Sequence, residues 1–326
     1  MRISKRGIFK RKRFWIFLVL LIGIYLNNTS LLAEKQYKKP LLLAHRGLAQ
    51  TFTMEGITND TCTAKQIYPP EHSYLENTIS SMEAAFRLGA DVVELDVQMT
   101  KDAKFAVFHD WTLECRTNGK GITRDYTLSE LQALDIGYGY TADGGKTYPF
   151  RGKGVGLMPS LEQVLLHFPG KELLIHVKSN DPKEGELLAK YLSSLDANRL
   201  ANITVYGGDR PIEALQMQMP NQPVMSKATM KKCLIPYLAA GWTGYVPTAC
   251  EKTQLHIPEE IAPWLWGWPN RFIGRMNDVN TRVILVGGNG EFSTGFDSSE
   301  DIKRLPPDYS GGVWTNRIDR IAPLFP

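Results

Sequence analysis

Asp91-Val92-Val93-Glu94-Leu95-Asp96-Val97 decides how this chain reads. The run is apolar enough for a strand buried on both faces, yet it carries two carboxylates in its interior. Strand side chains alternate between faces, so Glu94 and Asp96 share one face, and Val93, Leu95 and Val97 the other. Two like charges brought together inside a protein are costly unless something offsets them. A divalent cation would do so, because hard cations take carboxylate oxygens. So would arginine or lysine side chains in a structural network. The pattern of this one strand leaves both open.

Similar runs lie on either side. His45 closes Leu41-Leu42-Leu43-Ala44, and His109 closes Phe105-Ala106-Val107-Phe108. His176 and Lys178 stand two apart in Leu173-Leu174-Ile175-His176-Val177-Lys178 and so share a face. Nine strand-like runs are expected, at 41–45, 91–98, 104–109, 172–178, 203–206, 223–226, 244–247, 282–287 and 312–316. Helical patterns fill most of the gaps. Asn77–Leu88 has helical apolar spacing, Thr127 to Glu130 and Ser160 to Gln163 read as capping boxes, and Asp181 caps a helix reaching about Leu195.

Strand–helix alternation predicts an α/β fold with a parallel sheet. Only Lys101-Asp102-Ala103-Lys104 separates the second run from the third. A parallel crossover needs a dozen or more residues, so this pair must be an antiparallel hairpin. Removing its return arm leaves eight parallel strands. The expected fold is therefore a (β/α)8 TIM barrel with an antiparallel hairpin extension after strand 2. Such barrels carry their chemistry at the C-terminal ends of the strands. His45, Glu94, Asp96, His176 and Lys178 then meet at one mouth, and the hairpin returns His109 to the same rim.

The chain has 326 residues, 43% hydrophobic and 22% charged, enough for one such barrel. Its net charge of +4 misleads, because seven basic residues lie before residue 14 and the remainder carries a net −3. A mildly acidic body gives nucleic-acid binding no support. The basic cluster precedes the apolar stretch Phe14–Leu26, which the uncharged residues Asn27 to Ala33 would extend. This predicts an N-terminal membrane anchor or signal segment over 1–33, with an uncleaved signal anchor favoured over a cleaved signal. A polar linker follows at 34–40, and the barrel occupies 41–326. The catalytic domain is then membrane-anchored and extracytoplasmic, or secreted if the signal is cleaved. Export permits disulfides, and Cys62, Cys115, Cys233 and Cys250 allow three pairings without the spacing of a zinc site.

His45-Arg46-Gly47, Glu76-Asn77-Thr78, Gly89 to Val97, Thr100-Lys101-Asp102 and His109-Asp110 follow one another in an order that resembles the glycerophosphodiester phosphodiesterase family. The pattern continues in Arg116 to Gly121 and Pro159-Ser160-Leu161, is dense from 41 to 178, and thins afterwards. The resemblance implies a TIM barrel, a divalent cation and hydrolysis of glycerophosphodiesters to glycerol 3-phosphate and an alcohol. By the same resemblance His45 and His109 form the acid–base pair, and Glu94 and Asp96 are metal ligands. Arg46, Lys178 and Glu76 contact or support the substrate. Histidine suits both proton transfers near neutral pH.

The sequence departs from that family at three places. His176 stands where the family usually has a glutamate ligand. Retained as a ligand, it would favour Mn2+ or Zn2+ over the Ca2+ or Mg2+ the resemblance implies. Leu75 replaces a proline, and Val313 to Arg317 reads differently at the last strand. Alternative readings are a phospholipase D- or C-like enzyme on lysolipids or membrane lipids, and a silent barrel acting as a binding module.

The long segment Leu48–Tyr74 leaves the catalytic rim and should overhang the site. It contains Cys62, and Cys115 follows the hairpin at the same rim, so these two are expected to pair. Cys233 and Cys250, both placed near the catalytic end, should form the second disulfide. The aromatic stretch Pro263 to Pro269 reads as core or as a lipid-facing patch, and the glycine-rich stretch 137–156 as a flexible surface connection.

Overall fold

The computed structural model describes residues 5–34, 39–58 and 61–325. Most of the linker expected at 34–40 lies outside them. The strands are β1 (Leu41–Ala44), β2 (Val92–Met99), β3 (Phe105–Val107), β4 (Glu172–Val177), β5 (Ile203–Gly207), β6 (Val224–Met225), β7 (Gln254–Pro258), β8 (Arg282–Val286) and β9 (Gly312–Thr315). Eight of them run parallel in the order β6-β5-β4-β2-β1-β9-β8-β7. A single parallel bridge, Val224 to Thr253, joins the two ends, so the barrel is nearly closed. The ninth strand, β3, turns back along β2 antiparallel, with Val97 opposite Val107 and Met99 opposite Phe105.

Alternation sorts the side chains as the pattern of period two requires. Leu41, Leu43, Val92, Leu174, Ile284 and Trp314 fill the barrel interior. Val93, Leu95 and Val97 face outward into the main core against the helices. Glu94 and Asp96 therefore continue the interior row begun by Val92, and both are fully buried. Capping boxes start the helices Ile79–Leu88, Leu128–Gln132 and Leu161–His167, closed by Thr78, Thr127 and Ser160.

Strand assignment fails at one place. No strand forms at 244–247; the strand between β6 and β8 is β7, ten residues later. Gly244 takes a left-handed φ of 92° where it ends the short turn Gly241–Thr243 that follows the helix Lys227–Ala240. Both runs are short and end in proline. Position decides between them, because only Gln254–Pro258 reaches the gap beside β8.

A second, smaller core sits over the catalytic end. Leu75, Phe108, Leu113, Leu131, Tyr140, Phe150 and Met158 fill it from the segments on either side of the hairpin. The glycine-rich stretch belongs to this core and is not a loose connection. A Cβ on Gly139 would lie 1.9 Å from the Cys115 carbonyl oxygen, and one on Gly137 2.4 Å from that of Phe150. Glycine is what lets these backbones touch.

Both expected disulfides form. Cys62–Cys115 ties the overhanging segment to the residues after the hairpin. Cys233–Cys250 does not lie near the catalytic end. Cys233 is in the middle of its helix and Cys250 shortly precedes β7, so this bond ties a helix to the end where strands begin.

The N-terminal helix Lys5–Asn28 departs from the expected membrane span. Among the described residues no helix is long and apolar enough to cross a membrane. Thirteen apolar residues rise about 20 Å, short of a hydrocarbon core of about 30 Å. The residues expected to extend the span are held by the barrel instead. Asn27 and Asn28 donate to the Trp242 carbonyl at 3.1 and 2.8 Å, and Arg275 donates to the Asn27 carbonyl at 2.8 Å. The Ser30 hydroxyl donates to the Gly267 carbonyl at 3.1 Å, inside the aromatic stretch 263–269. In that stretch Trp268 packs on Phe272 and Tyr309, while Trp264 is exposed.

Candidate active site

The first strand ends in a turn that aims two side chains at the mouth. Arg46 and Gly47 both take positive φ, 58° and 78°. A Cβ on Gly47 would lie 2.6 Å from Ser81 Oγ and 2.8 Å from the Ser81 carbonyl carbon, so only glycine fits beneath the helix start. The turn points the Arg46 N–H at Glu94 Oε2, 3.1 Å away. His45 is fixed from both sides: Nδ1 lies 2.6 Å from Asn316 Oδ1, and Nε2 accepts from Arg46 Nε at 3.0 Å. Its ring rests on Trp314.

Glu94 and Asp96 sit at the centre with different partners. The Tyr206 hydroxyl donates to Glu94 Oε1 at 2.7 Å. Asp96 is ringed by cations, with Arg46 Nε at 3.1 Å and Lys178 Nζ at 3.6 Å, and Asn77 Nδ2 donates to it at 3.0 Å. His176 Nδ1 lies 2.9 Å from Asp96 Oδ1 and 3.7 Å from Glu94 Oε1, with its ring stacked on Tyr206. The structural network and the ligand cluster that the sequence left open thus coexist. Asp96 is paired with side-chain cations, and Glu94 is not.

His109 belongs to a third group at the rim. Its Nδ1 lies 2.7 Å from Asp110 Oδ1, and Arg116 holds the other oxygen of Asp110. Arg116 also donates to Glu76 Oε2 at 3.2 Å, to Thr63 Oγ1 at 2.7 Å and to the Tyr140 hydroxyl at 3.1 Å. Glu76 in turn receives Arg46 at 2.9 Å. Buried arginines therefore link the His109 group to the His45 turn through one carboxylate.

Burial and charge set the protonation states. Burial, then Arg46, pushes His45 well below the usual imidazole range, and the same two causes lower His109. Burial and Lys178 push His176 down to about 4, so its imidazole is neutral and free to ligate at neutral pH. Burial and the facing Asp96 push Glu94 up to about 8. Burial also works upward on Asp96, but Arg46 and Lys178 outweigh it and hold Asp96 well below the usual range.

Around this cluster the carboxyl groups of Glu76, Glu94, Asp96 and Asp110 stand with the basic side chains of Arg46, Arg116 and Lys178. Glu94 is the acid left without a counter-charge. Its ligating oxygen, one from Asp96 and a His176 nitrogen all lie within 4.8 Å of one another. Two carboxyl groups, one of them without a cationic partner when it ionises, and an imidazole fit a divalent cation.

All eight site residues expected from the sequence converge here. The structure adds Asp110, Arg116, Tyr140, Tyr206, Asn77, Asn316 and His256 to the surroundings of the site. His256 was out of reach because its strand was misplaced; it lies in the barrel, against Tyr206 and Trp314. Asp110 and Arg116 lie within the motifs His109-Asp110 and Arg116 to Gly121, and an acid adjoining a histidine is the signal the sequence offers.

Barrel and mouth together define an α/β barrel with two imidazoles placed around a carboxylate–histidine cluster at the strand ends. The glycerophosphoryl diester phosphodiesterase family matches residues 45–210, and the chain belongs to it. A glycerophosphodiester phosphodiesterase of Bacillus subtilis is 41% identical over 138 residues, covering 41% of this chain and 43% of that protein. The first four curated relatives are matched over only 34–49% of their own length. The crystal structure of a glycerophosphodiester phosphodiesterase from Agrobacterium tumefaciens covers 87% of this chain and 100% of its own, at 20% identity and a TM-score of 0.56. A phosphodiesterase from Oleispira antarctica, solved with the product sn-glycerol-3-phosphate, covers 85% of this chain and 93% of its own, at 17% identity and a TM-score of 0.52.

Proposed function

We propose that this protein hydrolyses glycerophosphodiesters to glycerol 3-phosphate and an alcohol, using His45 and His109 for the proton transfers. The observation that carries the reading is the convergence of two separately oriented imidazoles on one buried, charge-imbalanced centre. Family membership and the relatives' activities support it. In the reaction, one imidazole takes the proton of the glycerol 2-hydroxyl as its oxygen bonds to phosphorus, and the other delivers a proton to the departing alcohol oxygen. The roles then reverse, as water opens the cyclic phosphate. Asp110 engages Nδ1 of His109, which leaves Nε2 of that ring for the transfer; on His45 Asn316 engages Nδ1, and Nε2 must give up the hydrogen bond it accepts from Arg46 to take a proton. Arg46 and Lys178 contact the phosphoryl oxygens, and Glu76 holds Arg46 in place. Glu94, Asp96 and His176 would hold a divalent cation, which supplies charge neutralisation at the phosphoryl group.

We further propose that the chain is exported and attached to a membrane through its N-terminal segment. Most apolar residues between Phe14 and Leu26 are exposed, basic residues precede them in the sequence, and disulfides suit an oxidising compartment.

The test is release of glycerol 3-phosphate from glycerophosphocholine by the purified chain, with and without chelator, alongside His45→Ala and His109→Ala. Loss of at least about a hundredfold in each variant is expected. Full turnover in either variant overturns the assignment.

A further inference from the structure

Asp297 stands behind His45 in a line of three groups. It comes from the segment between β8 and β9, which runs beside β9, with the Phe296 N–H donating to the Trp314 carbonyl at 2.9 Å. The N–H groups of Asp297 and Ser298 both donate to Asp301 Oδ2 at 2.9 Å, which fixes the backbone there. Asp297 Oδ1 accepts from the Asn316 N–H at 2.6 Å and from the Thr315 hydroxyl at 3.1 Å, and Oδ2 accepts from Asn316 Nδ2 at 2.9 Å. A Cβ on Gly295 would lie 2.7 Å from Asp297 Oδ1 and 2.9 Å from Asn316 Nδ2, so the backbone closes over the pair. On the other side, Asn316 Oδ1 lies 2.6 Å from His45 Nδ1.

Donor and acceptor chemistry decides which way each group points. A carboxylate only accepts, so the side of the Asn316 amide that faces Asp297 is its NH2 group. Burial raises the Asp297 carboxyl, and the bonds from Asn316 and Thr315 work against that. The amide oxygen is left for His45, and a carbonyl oxygen only accepts, so the ring hydrogen is on Nδ1. The far side of the ring agrees. Arg46 Nε only donates, and it points at His45 Nε2 from 3.0 Å, so that nitrogen carries the lone pair. Two independent partners select one tautomer.

We propose that Asp297 is a positioning residue: through Asn316 it holds His45 in the tautomer with its hydrogen on Nδ1, so that Nε2 is the nitrogen that exchanges protons with the substrate. Its effect on turnover rests on the phosphodiesterase reading above; its effect on the ring does not. In Asp297→Asn the side-chain oxygen stays with the Thr315 hydroxyl and the Asn316 backbone N–H, so the new NH2 group faces the Asn316 NH2. Two donors cannot pair, and the Asn316 amide turns over to present a hydrogen to His45 Nδ1. The ring then carries its own hydrogen on Nε2, and its lone pair is spent on the amide. Adding Asn316→Asp removes the conflict, because a carboxylate at 316 accepts from both neighbours.

The experiment uses the purified full chain with isotopically labelled histidine. Without added metal, at a pH above the imidazole range, the nitrogen NMR shifts of the ring report its tautomer, and His45→Gln identifies the signals. The parent and the double variant Asp297→Asn with Asn316→Asp should both keep the hydrogen on Nδ1, and Asp297→Asn alone should move it to Nε2. With manganese and glycerophosphocholine, kcat of Asp297→Asn should fall at least about tenfold while KM stays within about twofold, and the double variant should recover most of the loss. A merely structural role would lower activity without moving the ring hydrogen. A parent ring with its hydrogen on Nε2, an unmoved hydrogen in Asp297→Asn, or a double variant as impaired as the single one overturns the relay. If Asp297→Asn does not fold, the parent ring and the double variant decide. No turnover by the parent overturns the phosphodiesterase reading, while the ring hydrogen still decides the relay.

Discussion

Replacing Asp110 with asparagine separates the two tasks this carboxylate performs. It is the partner of His109 Nδ1 at 2.7 Å and a counter-charge of Arg116, whose side chain is 3% exposed. Burial would raise the Asp110 carboxyl, but Arg116 and His109 hold it far below the usual range. A carboxylate depressed in this way stabilises the fold above its unfolded value near 4, and that stability is withdrawn only as pH falls below it. At neutral pH the whole contribution is therefore present in the native protein and absent in Asp110→Asn. Breaking a buried ion pair costs about 3–5 kcal/mol, and the lower end applies because Arg116 retains Glu76 and Tyr140. At about 2–4 °C per kcal/mol, the melting temperature should fall by roughly 6–12 °C. His109 also loses a partner that favours its protonated form, so the limb of the pH–rate profile that it governs should move to lower pH. With the proton-transfer role proposed for His109, turnover should fall by about a hundredfold or more when that imidazole loses its orienting group. Thermal melts at pH 7 together with kcat against pH on glycerophosphocholine check this. A variant that melts within 1 °C of the parent (the precision of such melts, roughly) and keeps its pH profile would refute the reasoning.

Three further outcomes are expected. Glu94→Gln mimics the protonated carboxyl, so it should abolish metal binding without lowering metal-free stability. In the metal-free parent Glu94 stays protonated up to about 8 while the unfolded chain ionises near 4, so stability should decline across that interval; Glu94→Gln should flatten the slope in urea titrations against pH. His176→Glu restores a third carboxylate and should shift preference from Mn2+ or Zn2+ toward Mg2+ or Ca2+, read by metal analysis and by reactivation after chelation; unchanged preference would remove His176 from the ligand set. Gly47→Ala must keep φ near 78° and place its Cβ against the Ser81 backbone, so it should cost about 1–3 kcal/mol in denaturant melts and misalign Arg46.

The sequence alone determined whatever depends on neighbours along the chain. Period-two alternation put Glu94 and Asp96 on one face, and the strand's burial on both sides made that face interior. A connection of four residues forced the β2–β3 hairpin, and side-chain caps marked the starts of three helices. Those relations are local, so residue type and spacing carry them. The tertiary structure alone decided which of two similar apolar runs became β7, where Cys233–Cys250 lies, and what the N-terminal helix rests on. It also set the difference between Asp96 and Glu94. Arg46, Lys178 and Arg116 reach the mouth from separate segments, and the strength of a charge interaction follows distance and burial, not separation along the chain. One acid therefore lies among cations while its neighbour, two residues away on the same strand, is left to take up a proton or a metal.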